Sequence, residues 1–333
     1  MTHECHALIN QYLKYQQQKQ KCVLATVVQL NGSSYRKPGV RMLISDTNEM
    51  TGALSGGCVE KEVILQSKSV FETNIAKIIK YDGRYRLGCE GEIFILIEPF
   101  QPDSECLESY HQYKINRKPF VLESYFNSEC TSSNTFGSQF VFDEITFKVH
   151  TFSANEPCTI FRQTLKPNFR LLIFGHEHDA EHLCRLAHFC GWDVEVVSSK
   201  MSRLPPNRFQ KAKEVHYLQP EEIKSLNIDS ETACVLMSHN FAKDLAYLQH
   251  LSLLGLESNY IGVLGAKKRM NQLESTLMNT MPNLNPDFYD QLHGPVGLDI
   301  GSITPQEIAI SIIAEITQFI RQKKVILVDE AQE

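Results

Sequence analysis

The chain has 333 residues, 42% hydrophobic and 22% charged, with a formal net charge of −6. That length holds two domains with a core each, and the acidic balance, with basic residues scattered apart from KKR at 267–269, argues against a nucleic-acid-binding face. Ten cysteines behind the polar start MTHECHALINQYLKYQQQKQ predict reduced thiols in a cytoplasmic protein, and no stretch approaches the roughly 18 to 20 apolar residues of a membrane span.

In chain order, HALINQYLKYQQQ has helical spacing through Leu8, Tyr12 and Tyr15, and KCVLATVVQL at 21–30 is a β-rich run ending at a Gly32 loop. The next stretch, GSSYRKPGVRMLISDTNEMTGALSGGCVE at 32–60, sets two small-residue loops, two arginines and a cysteine around a short strand. Ser33 and Ser34 offer hydroxyls and backbone N–H groups, while Arg36 and Arg41 offer forked cationic donors. Gly56 and Gly57 lead into a helix opened by Cys58, where unpaired N–H groups and the helix dipole favour a thiolate.

Gly88, Cys89 and Gly91 form a loop before the apolar strand that ends at Glu98-Pro99. Short strands with turn signals follow from 119 to 163, and Lys166-Pro167-Asn168 reads as a linker. RLLIFGHEHDAEHLCRLAHFCGWDVEVVSS at 170–199 reads as strand, turn, helix, strand. Its turn carries a partial dinucleotide fingerprint: Gly175 and Ala180 suit the first and third positions, but Glu177 stands where a glycine admits pyrophosphate. The second strand ends in Val197-Ser198-Ser199, without the carboxylate that a ribose diol needs, so NAD is not expected.

His178 and His182, four apart, share one helix face at a zinc-capable spacing. The turn lacks the HExxH order and a histidine-rich helix start is more often just solvated, so no metal ligand is assigned. Ser238-His239-Asn240 follows the strand TACVLM, and a loop from Gly262 through Gly265 to Lys267-Lys268 follows a short strand and enters a helix, combining backbone donors with cations for an anion. In GPVGLDIGSITPQEIAISIIAEI at 294–316, Asp299 lies between glycine turns, and Thr304, Pro305 and Glu307 make a capped helix start with Ile308, Ile312 and Ile316 as its buried stripe.

These motifs together resemble the xanthine dehydrogenase accessory (XdhC/CoxI) family over both ends and most of the middle, with 101–165 the least diagnostic part. The family's usual glycine after Cys89 is Glu90 here, and its usual Ser and Arg are Ala266 and Lys267. The expected fold is α/β: an N-terminal α/β domain at 1–100, a β-rich connecting region at 101–165, and a C-terminal Rossmann-like doubly wound parallel sheet at 166–333. The resemblance implies a molybdenum-cofactor chaperone that binds molybdopterin or its nucleotide form, supports sulfuration, and delivers the cofactor to a xanthine dehydrogenase-like apoenzyme, with sulfur from a cysteine desulfurase. A homodimer is expected, and neither a membrane nor nucleic acid is a partner. The candidate cofactor contacts are Ser33, Ser34, Arg36, Arg41, Gly56, Gly57, Cys58 and Cys89 in the first part, and Gly175, Ser238, His239, Gly262, Gly265, Lys267 and Asp299 in the second, converging on a cleft between domains or subunits. No triad or paired acid and base appears, which favours carriage over turnover, so no catalytic residue is assigned. The alternative is a nucleotide- or NAD(P)-dependent oxidoreductase or transferase working through the C-terminal domain.

Overall fold

A computed structural model describes residues 2–32, 37–82, 91–129, 131–153, 158–199, 204–205, 207–257 and 259–329. The chain divides into two compact units, 1–167 and 168–333.

The first unit opens with helix α1 (Thr2–Gln17), which buries Leu8, Ile9, Tyr12 and Tyr15, the stripe that the helical spacing predicts. Five antiparallel strands then form one sheet in the order β3-β2-β1-β5-β4: β1 (Cys22–Asn31), β2 (Arg41–Ser45), β3 (Met50–Gly52), β4 (Lys77–Asp82) and β5 (Glu92–Pro99). β1 reads as an almost unbroken apolar run because both of its faces are covered. Val23, Ala25 and Val27 pack with Val59, Val63 and Val70 of helix α2 (Cys58–Thr73). Leu24 and its cross-strand partner Leu43 pack on the opposite face, with α1.

Helix α3 (Ser104–Ile115) and a second antiparallel sheet, ordered β8-β7-β6-β9, complete this unit. Its strands are β6 (Phe120–Phe126), β7 (Gly137–Phe142), β8 (Ile145–Lys148) and β9 (Thr159–Leu165). Phe120, Leu122, Phe140 and Phe142 share a core with Leu8, Tyr12 and Leu43, so the β-rich stretch packs against the same residues as the first sheet.

The second unit is a six-stranded parallel sheet in the order β12-β11-β10-β13-β14-β15. Its strands are β10 (Arg170–Phe174), β11 (Asp193–Ser198), β12 (Glu214–Tyr217), β13 (Thr232–Leu236), β14 (Tyr260–Val263) and β15 (Leu292–His293). Helices α4 (His178–Phe189) and α7 (Pro305–Asp329) cover one face through Leu183, Ala187, Ile312 and Ile316. On the other face lie α5 (Phe241–Ser252) and α6 (Lys267–Thr280), through Leu248, Leu251, Leu273 and Leu277. This is the doubly wound Rossmann-like architecture. Strand order reverses between β10 and β13, and their carboxyl ends open a crevice there. At the head of α7, Thr304 Oγ1 accepts from Glu307 N while Glu307 accepts from the backbone of Thr304 and Ile303, the capping box readable in TPQE.

Leu43 is fully buried at the centre of the first unit's core. Leu43→Ala is expected to cost about 2–5 kcal/mol, because a cavity is added to the lost transfer energy. Chemical denaturation followed by a first-unit probe should show a lower midpoint with an unchanged m value.

Candidate functional site

The crevice of the second unit begins at Gly175, just past β10, with φ +136°. A Cβ there would lie 2.5 Å from the Met237 carbonyl oxygen and 2.9 Å from the Ser238 nitrogen, so the ends of β10 and β13 close on each other only around a glycine. His176 Nδ1 lies 2.9 Å from Ser198 Oγ at the buried end of β11, the position where a dinucleotide site would present its carboxylate. Burial pushes the His176 pKa down; Glu177 opposes this, and the Arg208 and Lys243 charges add to it. Glu177 is the N-cap residue of α4 and contributes no capping hydrogen bond from its side chain.

From the end of β13, Ser238 donates to Asp244 Oδ1 through its hydroxyl at 2.5 Å and its backbone N–H at 3.3 Å. Arg269 Nη2 donates to Asp244 Oδ2 at 2.7 Å. Asp244 itself is completely buried. One carboxylate thus ties the Ser238 loop to α5 and α6. His239 stands in the left-handed region at φ +53°, with its Nε2 3.3 Å from Asp179 Oδ2 on α4. Asn240 caps α5 by accepting from Lys243 N at 3.0 Å.

Gly265 leads into α6, whose N-cap Ala266 supplies no side-chain acceptor or donor. Lys267 and Lys268 are exposed in its first turn, and Arg269 Nε is buried without a hydrogen-bond partner. The turn therefore offers helix-end N–H groups and two solvated cations, a donor set suited to an anion. Gly175, Ser238, His239, Gly265 and Lys267 all lie at the carboxyl ends of β10, β13 and β14.

Gly262 belongs elsewhere. It lies inside β14, paired with Val235 and His293, and a Cβ there would sit 2.5 Å from Val296 Cγ2. Its smallness admits Val296 to the core, a packing role for this residue. Asp299 is exposed between Gly297 and Gly301, both at positive φ.

In the first unit, Ser33, Ser34, Arg36 and Cys89 lie outside the described residues. Helix α2 begins at Cys58 with Gly57 as its N-cap. The N–H groups of this turn have an internal acceptor: Glu60 Oε1 accepts from Leu54 N (3.0 Å), Ser55 N (2.7 Å) and Gly56 N (3.1 Å), while its Oε2 accepts from Gly57 N (2.6 Å) and Ser55 Oγ (3.1 Å). Burial alone would raise the Glu60 pKa; backbone N–H bonds from Ser55, its own amide and Gly57, with the Ser55 hydroxyl, outweigh it and hold the carboxyl below its usual range.

Arg41 has partners within its own unit, while its Nη2 is buried without a hydrogen-bond partner among the described residues. It is buried at 8% exposure and its Nη1 donates to Gly39 O at 2.9 Å and to Gln163 Oε1 at 2.5 Å, so this guanidinium ties β2 to its own unit. Burial lowers its pKa, opposed by Cys5, Glu98 and Glu4. β2 is covered on both faces, Met42 and Ile44 packing on the α2 side and Leu43 on the α1 side, so Arg41, on the same face as Leu43, is in covered space too.

The residues that organise these loops, Glu60, Asp179 and Asp244, were absent from the expected set. Glu60 had a readable signal in its third helical position after Gly57, the acceptor place of a capping box. Asp244 and Asp179 had none, since each meets its partners through tertiary contacts.

Residues 171–316 match the XdhC Rossmann domain, and residues 15–82 match the XdhC and CoxI family. The chain belongs to this family. A protein of Bacillus subtilis (strain 168) described as a probable xanthine dehydrogenase subunit is 29% identical over 335 residues, spanning 94% of this chain and 96% of that protein. Molybdenum cofactor insertion chaperone PaoD from Escherichia coli (strain K12) is 22% identical, spanning 88% of this XdhC/CoxI chain and 82% of PaoD. The crystal structure of a xanthine dehydrogenase from Bacillus halodurans superposes with a TM-score of 0.78 at 28% identity, covering 95% of this chain and 96% of the other. Among the described residues, no helix is long and apolar enough to cross a membrane, and no group of three or more His, Cys, Asp or Glu could hold a metal ion.

Asp244→Ala removes the buried acceptor shared by Ser238 and the partly buried Arg269, and is expected to cost about 2 kcal/mol in denaturant unfolding; Ser238→Ala should cost about 1 kcal/mol. For Glu60 the folded carboxyl binds its proton less readily than the unfolded one. Its contribution is therefore full above the unfolded carboxylate range, about pH 4.3, and fades as pH falls through the lower folded value. Wild type and Glu60→Gln should differ in urea midpoint at neutral pH, and the gap should narrow as pH falls below that range; a gap that widens on acidification would contradict the assignment.

Proposed function

We propose that this protein is an accessory factor in the maturation of molybdenum hydroxylases: it binds molybdopterin or its nucleotide form, supports replacement of an oxo ligand by the terminal sulfido ligand, and hands the cofactor to a xanthine dehydrogenase-like apoenzyme. The sulfur comes from a cysteine desulfurase, and the protein acts as a cytoplasmic homodimer. The observation that carries the reading is a likeness along most of the chain to two relatives, one named a molybdenum cofactor insertion chaperone and one a probable xanthine dehydrogenase subunit.

The crevice chemistry agrees with an anionic, heterocyclic cargo. Lys267, Lys268 and the uncapped start of α6 present cations and N–H donors to a phosphate. Ser238, held by Asp244, and His239, paired with Asp179, bring polar groups to the β13 side of the same crevice. The network is held in place before any ligand arrives, which reduces the ordering cost of binding. In the first unit, among the described residues, nothing lies within 4 Å of where the Cβ atoms of Gly56 and Gly57 would be, so a ligand can approach that side of the loop, while the N–H groups themselves are held by Glu60.

Expressed in a molybdate-supplied host, the full-length protein should copurify with molybdenum and pterin. Lys267→Ala combined with Lys268→Ala should weaken pterin retention at least about tenfold, roughly 1.4 kcal/mol, without lowering the melting temperature. NAD(H), opposed by Glu177 and lacking a ribose carboxylate, should bind with a dissociation constant above about 1 mM. Micromolar NAD(H) binding by calorimetry, in protein free of pterin, would overturn this function in favour of a nucleotide-dependent oxidoreductase.

A further inference from the structure

On α4, the Nε2 atoms of His178 and His182 lie 3.3 Å apart with their rings at 81° to each other. His178 is exposed and His182 half-buried, one helical turn further on. Zn–N bonds of about 2.0–2.1 Å meeting at a tetrahedral angle of about 109° place two ligand nitrogens about 3.3–3.4 Å apart, whereas a square-planar ion needs about 2.9 Å. The observed separation is the tetrahedral bite. The surrounding charge is also acidic: Glu177, Asp179 and Glu181 surround the first turn, offsetting the positive end of the helix dipole. Of these, Asp179 pairs with His239 and Glu181 with Arg185 and Arg208, so neither is spare as a third ligand.

We propose that His178 and His182 form a two-histidine chelate for a divalent cation of the zinc class, with water in the remaining positions. Both imidazoles would bind through neutral Nε2, carrying their protons on Nδ1. The spacing arises from an i, i+4 pair on a helix whose opposite face, through Ala180, Leu183, Cys184 and Ala187, is locked into the core, so chelation asks for no backbone movement. A ring-to-ring hydrogen bond is the competing account of the same contact, and it requires one Nε2 to be protonated.

The test is zinc chloride titrated into the full-length protein at pH 7.5 in competition with a chromophoric chelator. Because cysteines give a background, the quantity read is the difference between variants. Wild type should bind a single zinc equivalent more than His178→Ala and His182→Ala, or bind it at least about tenfold more tightly, while His188→Ala, exposed at the far end of α4, should match wild type. Circular dichroism should show all four chains folded alike, as expected for surface positions. Equal zinc binding by wild type and both single variants, or a loss shared by His188→Ala, would overturn the chelate and leave a hydrogen-bonded ring pair.

Discussion

The carboxyl edge of the second unit depends on one buried carboxylate. Asp244 has no exposure, so its charge is sustained only by the groups that reach it: the Ser238 hydroxyl and N–H from β13, and Arg269 from α6. Asp244 on α5 thus joins two partners, one at the end of β13 and one on α6. A charge buried this way costs more to leave unpaired than each bond returns singly, so the loops are coupled. Gly265 belongs to this arrangement too, since a Cβ there would lie 2.7 Å from Arg269 Cδ and push the guanidinium off its partner.

The first unit uses a carboxylate in the same manner at a different kind of place. Glu60 turns back on the loop that precedes its own helix and takes the N–H groups of four consecutive residues, Leu54 to Gly57. Any external anion using those donors has to displace it, and its binding free energy is the difference between two hydrogen-bonded states. The α6 start has no such internal anion: its N-cap is Ala266 and its neighbours are lysines. The two glycine-bearing helix starts look alike as strings, yet one has its donors occupied from within.

The legible part of this molecule was the part governed by local periodicity. Alternating strand, turn and helix after residue 170 required a parallel sheet, and TPQE announced the head of α7 because capping involves residues three apart. Arg41 and Gly262 have tertiary roles that their local sequence does not reveal, for a common reason. An arginine beside a loop and a glycine beside a turn carry no mark of whether solvent or core lies opposite; Gln163 and Val296, which decide the matter, are 122 and 34 residues away. Asp244 and Asp179 escaped notice for the complementary reason, being ordinary helix acids until tertiary structure supplies Arg269 and His239.

Gly175 shows why the partial fingerprint predicts the fold better than the ligand. In a dinucleotide site the first glycine makes the tight turn, and the second admits the pyrophosphate. Here the constraint on Gly175 is the Met237 carbonyl, a contact between adjacent strand ends that any doubly wound sheet must accommodate where its order reverses. That approach requires the glycine whatever the crevice binds. Glu177 and Ser198 are under no such packing demand, since the first projects half-exposed from the N-cap of α4 and the second satisfies His176. The positions that would touch a nucleotide thus lack the fingerprint residues, while the position required by the sheet has its glycine. Ligand identity in this crevice is therefore to be sought in the side chains of the β13 and β14 loops.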